Sequence, residues 1–347
     1  MAQGTTQDTT LNTEEYAQSI LDTIERERER EIVARRFGLF DRKETLEQIG
    51  ELLGITRERV RQLEKSVLSR LRANAENGEL PQIAELEARF LEFLEANGSF
   101  ARITKASEAL TAENSKTDQS RTAFLASLVP SLVTIDENDD YYQAVGLRKV
   151  ADEKQAKAEI SKLVDTIKKM GEPDTIAAIA KNAGIKDEKQ AEALASISKK
   201  LATLNNRWGL VKWPMVNPKN IRDKIYVILK ENGKHMHFSE IADAIKSSDF
   251  KRKDVTTQAI HNELIKDKRF VLVGRGIYAL KEWGYEKGTV ADIIADILRK
   301  EGAALHRDEI VKRVLKSRYV KETTILLNLQ GKPQFKRVAK ATYELAE

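Results

Sequence analysis

The amino-acid sequence predicts a mainly α protein made of tandem helix-turn-helix and winged-helix modules with short β-hairpin wings. Two observations support this fold class. Near the N-terminus two helical patterns meet at Gly54, and the C-terminal third repeats one order of three helices and two short strands. At about 150 residues per domain, the length of 347 residues predicts two to four domains.

The charge distribution indicates two basic regions separated by an acidic one. The whole chain carries a net charge of +5. Residues 1–24 carry −4, residues 25–72 carry +3 (13 basic, 10 acidic), residues 73–216 carry −3 and residues 217–347 carry +9 (27 basic, 18 acidic). This asymmetry favours contact with a polyanion at two places.

The composition leaves few of the side chains that enzymes and metal sites commonly use. Cysteine is absent and histidine occurs four times, so we expect no catalytic residue, no metal and no cofactor. No run approaches the ~18 apolar residues of a membrane span, and the N-terminus lacks the pattern of a signal peptide. The sequence predicts a cytoplasmic protein with no membrane partner and no small-molecule substrate.

The N-terminal region is predicted to change from disorder to helix. Residues 1–12 are polar with a single leucine, and we expect a disordered tail because they can bury little apolar surface. A helical pattern begins at Glu14. Glu and Arg then alternate from Glu25 to Glu31, which we interpret as a solvated helix with ion pairs rather than a nucleic-acid contact.

A helix-turn-helix is predicted in the sequence TLEQIGELLGITRERVRQLEKSVLSRLR, within residues 13–75. Thr45 and Gln48 fit a capping box that begins one helix. Gly54 ends that helix in the left-handed conformation, and Thr56 can cap the next helix.

The second helix of this pair has an apolar face and an opposite polar face. In a docked helix-turn-helix the N-terminal side chains of the second helix reach base edges in the major groove. Arg suits guanine, Glu suits cytosine and Gln suits adenine. A charged surface helix of a bundle is the alternative. The candidate DNA-binding residues on this helix are Arg57, Glu58, Arg61, Gln62 and Lys65.

The stretch EREREIVARRFGLF…TLEQIGELLGITRERVRQLEKSVLSRLR, residues 25–72, resembles region four of the housekeeping, sigma-seventy class of bacterial sigma factors. The resemblance covers about 48 of the 347 residues. It implies that Arg57, Glu58 and Gln62 read the upstream, minus-thirty-five promoter element. It also implies that Arg61 and Lys65 lie near phosphates or an activator.

The same resemblance implies a contact with RNA polymerase. Region four of the family grips the flap of the polymerase β subunit through apolar positions of its first half. For each of these positions, taken alone, a place in the hydrophobic core is the preferred interpretation. The corresponding residues here are Ile32, Val33, Phe37 and Leu39. No segment of the sequence resembles sigma region two, which melts promoters, so we expect no promoter melting.

The basic C-terminal third contains an internal repeat. Seven positions match at an offset of 69 residues and six more at an offset of 65; Gly233 matches Gly302 in this way. Each copy is predicted as a winged helix, at 217–285 and 287–347. The first copy contains HNELIKDKRFVLVGRGIYALKEWGY and resembles the HARE-type helix-turn-helix domain of the RNA polymerase delta subunit.

In a DNA-binding winged helix, the third helix and the wing contact the groove and the phosphates. Winged helices also serve as protein-binding modules, and for the first copy both interpretations stay open. For the second copy, in which AKATYEL replaces GRGIYAL, protein binding is preferred. The candidate residues of the first copy are Thr256, Thr257, Gln258, Asn262 and Arg275.

Two further, degenerate winged helices are predicted at 81–148 and 152–214, because Gly98 and Gly171 recur within one pattern at an offset of 73. Their net negative charge favours spacing or protein contact. We interpret the acidic run around residues 136–140 as a hairpin tip rather than a metal site, and both His237 and His306 as helix caps rather than ligands.

The leading hypothesis is a nucleoid-associated transcription factor that binds double-stranded promoter DNA and contacts the RNA polymerase core. The alternative is a delta-like polymerase accessory subunit that acts through protein contacts. A restriction-like nuclease is the least favoured, because no carboxylate–lysine cluster occurs in a strand context.

Overall fold

The computed structural model describes residues 10–250, 252, 254–285 and 288–346. The chain divides into two compact units, Met1–Lys212 and Trp213–Glu347. The described residues form 16 α-helices and four separate three-stranded antiparallel sheets. The predicted fold class is confirmed: the protein is mainly α, with helix-turn-helix and winged-helix modules whose wings are short hairpins. Among the described residues, no helix combines the length and apolar character needed to cross a membrane.

The first unit begins with four helices, which contain the helix-turn-helix. Asn12 caps the first of them by accepting a hydrogen bond from the Glu15 backbone N–H at 3.2 Å. Gly38 ends the second in the left-handed conformation, with φ of +66°. The four helices are α1 (Thr13–Asp22), α2 (Glu27–Phe37), α3 (Leu46–Leu53) and α4 (Arg57–Glu76).

The predicted tail is wrong at its C-terminal end. Leu11 is buried at 8% exposure and belongs to the main core of the first unit. Its N–H donates a 2.7 Å hydrogen bond to the Leu110 carbonyl. The single leucine of the polar stretch therefore anchors the chain, while residues 1–9 of the predicted tail lie outside the described residues.

Two winged-helix modules complete the first unit. In each, a short strand after the first helix pairs with the last strand of the hairpin. Module A comprises α5 (Pro81–Ala96), β1 (Phe100–Arg102), α6 (Ile103–Leu110), α7 (Lys116–Leu128), β2 (Leu132–Ile135) and β3 (Ala144–Leu147). Module B comprises α8 (Glu153–Met170), β4 (Asp174–Thr175), α9 (Ile176–Ala183), α10 (Glu188–Ile197), β5 (Leu201–Leu204) and β6 (Arg207–Leu210).

The second unit contains two modules of the same topology. Module C comprises α11 (Ile221–Asn232), β7 (Met236–His237), α12 (Phe238–Ser247), α13 (Thr257–Lys266), β8 (Phe270–Gly274) and β9 (Ile277–Leu280). Module D comprises α14 (Val290–Glu301), β10 (Leu305–His306), α15 (Arg307–Ser317), α16 (Glu322–Gly331), β11 (Phe335–Ala339) and β12 (Thr342–Leu345). The module boundaries given in the sequence analysis stay predictions.

The main core of the first unit is shared between the N-terminal helices and module A. Ile20 of α1, Leu71 of α4 and Phe124 of α7 belong to one buried cluster. The third helix of module A therefore packs against α1, α2 and α4. Since the helix-turn-helix buries part of its apolar surface against α7, module A supports the orientation of α4.

The third helix of module B is also used for packing. Ala191, Leu194 and Ile197 of α10 are fully buried, and α10 packs against β1 of module A. Next to this contact, the Arg102 Nε donates a hydrogen bond to the Ser196 carbonyl. Modules A and B are thus joined through helix three of module B.

Candidate nucleic-acid interface

The turn between α3 and α4 has the local structure that the sequence predicts. The Thr45 hydroxyl accepts from the Gln48 N–H at 3.2 Å, and the Gln48 side chain accepts from the Thr45 N–H at 2.9 Å. Gly54 is left-handed with φ of +63°. The Thr56 hydroxyl then caps α4 by accepting from the Arg59 N–H at 3.2 Å.

Gly50, which the sequence pattern did not single out, allows α3 and the start of α4 to approach closely. A Cβ atom at this position would lie 2.7 Å from the Ile55 carbonyl oxygen, a distance that side chains do not tolerate. A small core of Ile32, Ile49 and Val60 lies within the helix-turn-helix. The glycine and this core hold the N-terminal end of α4 against α3.

All five candidate residues of α4 are exposed, and three of them form one network. Glu58 accepts two hydrogen bonds from Arg61, at 2.8 Å from Nε and 2.6 Å from Nη2. Gln62 Nε2 donates to Glu58 Oε1 at 3.4 Å. The Arg61 hydrogen bonds lower the pKa of Glu58, and the Glu58 carboxylate raises the pKa of Arg61. Both groups are therefore charged at neutral pH.

Two of the candidate cations keep their donors available. Within the described residues, the side chains of Arg57 and Lys65 form no hydrogen bond or ion pair. Arg59, which the sequence analysis did not select, is also exposed and donates from Nη1 to Gln62 Oε1 at 3.4 Å. The sequence signal that could have identified Arg59 is its position in the first turn of α4, where side chains of a docked helix-turn-helix reach the DNA. This surface can therefore both donate hydrogen bonds to base-edge acceptors and accept them from base-edge donors.

The four residues predicted to contact polymerase lie in or against the core. Ile32, Val33 and Leu39 are completely buried. Phe37 is half-buried, with its ring centroid 5.1 Å from that of Phe124. A polymerase contact through these residues stays a prediction.

The alternating Glu and Arg segment is less uniformly solvated than predicted. Glu29 is buried at 5% exposure. Its carboxylate lies 2.7 Å from Arg70 Nη2 and 3.2 Å from Arg26 Nη1. The Arg70 hydrogen bond keeps the pKa of Glu29 below its ordinary value. Glu29 thus ties α2 to α4 because it lies on the inner side of α2.

In module C the candidate residues lie at the start of α13 and on the wing. Thr256 caps α13 by accepting from the Ala259 N–H at 3.2 Å, and Thr257 is half-buried. Gln258 and Asn262 are exposed and joined by a 3.1 Å hydrogen bond. Arg275 is exposed in the turn between β8 and β9.

The residues interpreted as helix caps take that role. His237 Nδ1 accepts from the Ser239 N–H at 3.3 Å, and His306 Nδ1 accepts from the Asp308 N–H at 3.4 Å. Residues 136–143 form the loop between β2 and β3, as predicted for a hairpin tip. Among the described residues, no group of three or more His, Asp or Glu side chains could hold a metal ion.

Comparison with known proteins identifies one segment. Residues 26–73 match the family model of Sigma-70, region 4. The RNA polymerase sigma factor SigA of a Bacillus species is 42% identical over 72 residues, which are 20% of this chain and 19% of that protein. SigA of Listeria monocytogenes is 40% identical over 72 residues, with the same shares. The chain therefore spans about a fifth of the length of the curated relatives it matches.

Proposed function

We propose that this chain is a DNA-binding transcription factor that recognises promoter DNA through the N-terminal end of α4. The match of residues 26–73 to Sigma-70, region 4 carries the proposal. The exposed side chains of Arg57, Glu58 and Gln62 support it, because they suit guanine, cytosine and adenine in the major groove. On DNA, Glu58 would exchange its hydrogen bonds from Arg61 for one from a base.

The proposal includes contact with the RNA polymerase core. Two relatives are RNA polymerase sigma factors by name, and the similarity to their region four supports a shared partner. Val33 and Leu39 belong to the core that α1 and α7 complete. Contact through these two residues would require α2 to separate from α1 and α7, whereas half-buried Phe37 needs a smaller rearrangement.

We propose that this chain acts by binding, without promoter melting and without catalysis. No segment of it resembles sigma region two, and its cysteine-free sequence supplies no thiol nucleophile. The proposed cellular site is the cytoplasm, in association with the nucleoid.

A second candidate function is that of a polymerase accessory subunit acting through protein contacts. The resemblance of module C to the HARE-type domain favours it. Exposed apolar side chains of the second unit also favour it, since Ile265 is 63% exposed and Leu327 is 68% exposed. Such residues on a recognition helix suit a protein surface better than a DNA groove.

The experiment that tests the first candidate is a base-substitution binding profile of Arg57→Ala. We expect a loss of about 1–3 kcal/mol at one base pair and a relaxed preference there. Arg207→Ala, an exposed arginine of β6 in module B, is the matched control and should bind like the wild type. An unchanged profile for Arg57→Ala would refute promoter recognition through α4. If the DNA-binding profile of Arg57→Ala is unchanged and the variant still binds RNA polymerase, the accessory-subunit function is favoured.

A further inference from the structure

A cleft of about 640 Å³ lies between the helix-turn-helix and module A. One wall is the loop between α2 and α3, and the other wall is formed by the N-terminal ends of α6 and α7. The charged side chains that line this cleft are Asp41, Arg42, Lys43, Arg102, Lys116 and Glu137.

The positive charge of the cleft is only partly compensated. The Glu137 carboxylate already lies 2.8 Å from the Lys199 Nζ. Within the part of the chain that the structure describes, the side chains of Arg42, Lys43 and Lys116 form no hydrogen bond or ion pair. The cleft therefore presents cations that an anion can neutralise.

Arg102 is held in place before any ligand arrives. Its guanidinium carbon lies 3.9 Å from the centre of the Tyr142 ring, and its Nε donates to the Ser196 carbonyl. Neither terminal nitrogen forms a hydrogen bond to another described residue. An anion in the cleft would thus meet a donor that loses little conformational freedom on binding.

The local electrostatics also favour an anion. Desolvation lowers the pKa of Lys43; the carboxylates of Glu137 and Asp136 act against this, and the charge of Arg36 adds to it. Helix α6 begins at Ile103, and its N-cap residue Arg102 forms no side-chain cap hydrogen bond, so the N-terminal dipole of α6 adds positive potential at the same wall. A bound anion would relieve the cost of desolvating Lys43.

The position of the cleft along the chain identifies the source of the anion. Lys43 precedes Thr45, the cap of α3, by two residues. In a docked helix-turn-helix the first helix lies across the DNA backbone, and basic side chains beside it contact phosphates. A DNA backbone that passes the start of α3 therefore continues towards Lys43 on one wall of the cleft, with Lys116 on the opposite wall.

We infer that this cleft binds backbone phosphates of the duplex that α4 reads, so that module A extends the DNA-binding surface beyond the helix-turn-helix. The inference rests on the proposed function. A free phosphate ion and a duplex offer the same chemistry to these cations, and the test separates the two.

The test measures the salt dependence of DNA binding by the full chain carrying Lys43→Ala and Lys116→Ala together. One duplex contains only the helix-turn-helix site, and a second adds a flank of about ten base pairs, or one helical turn, at each end. On the long duplex the slope of log affinity against log salt should fall by about 1.8, since each phosphate contact contributes about 0.9. The affinity deficit should then shrink about twelvefold between 50 and 200 mM salt.

Three controls define the result. The pair Lys154→Ala and Lys168→Ala, two exposed lysines of α8 in module B, should keep the wild-type slope. Lys43→Arg with Lys116→Arg should restore the slope because both charges are kept. The short duplex should bind the alanine variant and the wild type equally. Equal unfolding midpoints of all variants establish that each of them folds.

The inference is overturned if the alanine variant keeps the wild-type slope on the long duplex, or if its deficit is as large on the short one. It is also overturned if millimolar inorganic phosphate, at constant ionic strength, removes the difference between wild type and variant, since the site would then take a free anion. Sequence preference is measured separately with Arg57→Ala on the same duplexes. Retained preference in that variant refutes the proposed function whatever the lysine slopes show.

Discussion

Modules A and B differ from modules C and D in how they use the same helix. In module A, helix α7 is buried along most of its length, including Phe124 and Leu125. In module C, the equivalent helix α13 buries Ile260 and Leu264 and exposes polar residues. One fold therefore provides a packing element in the first unit and an accessible surface in the second.

The sequences of the two helices account for this difference. The segment TAFLASL of α7 is apolar or small on every side, as expected for a helix buried all round. Helix α13 alternates its two core residues with Gln258 and Asn262, which are exposed. Under the proposed function, DNA recognition in the first unit is consequently left to α4, while α7 and α10 support its position by packing.

The largest expected effect is on the packing of α7. Phe124→Ala removes a fully buried ring and should lower the free energy of unfolding by about 3–5 kcal/mol. Asn262→Ala, on the exposed side of α13, should change it by less than about 0.5 kcal/mol. Urea unfolding of the full chain measures both. Similar losses from the two substitutions would contradict the difference between the units.

A smaller effect on stability is expected at the glycine position that follows the first helix of each module. Gly98 and Gly233 both have positive φ, +78° and +70°, so alanine costs about 1 kcal/mol of backbone strain at either position. A Cβ at Gly98 would also lie 2.3 Å from the Lys189 carbonyl oxygen, whereas nothing lies within 4 Å at Gly233. Gly98→Ala should therefore lower the melting temperature more than Gly233→Ala. Equal shifts would mean that modules A and B do not pack through α10.

The smallest expected effect is on the pH dependence of the α1–α7 contact. Burial raises the pKa of Asp118, but hydrogen bonds from Ser115 and Thr13 outweigh it and hold the pKa below its usual range. A lowered pKa stabilises the folded state above the unfolded-state pKa near 3.9, and this contribution is lost as the pH falls through the folded-state value. Asp118→Asn should cost on the order of 1 kcal/mol at pH 7 and reduce the acid dependence of stability. If Asp118→Asn leaves the loss of stability at acid pH unchanged, the Asp118 carboxylate does not stabilise the α1–α7 contact.

Local signals in the sequence predicted much of the fold. The Thr45–Gln48 capping box, the left-handed Gly54 and the repeated Gly233 and Gly302 all lie where the spacing placed them. These features depend on neighbouring residues only, which is why one sequence suffices to find them.

Contacts between distant residues were not predictable in the same way. The burial of Leu11 depends on Leu110, and that of Glu29 depends on Arg70. The basic cleft assembles Lys43 and Lys116, which are far apart in the chain. The apolar character of α7 on every side was a signal that the helix is buried, but not that it packs against α1 and α4.

The measurement that tests the account most directly is amide hydrogen exchange of the full chain with and without a promoter duplex. We expect added protection in residues 57–65 at the start of α4, and unchanged exchange in residues 121–128 of α7 and 191–197 of α10, most of which are already buried within the chain. Protection that appears in residues 121–128 or 191–197, while residues 57–65 exchange as in the free protein, would contradict the assignment of DNA recognition to α4.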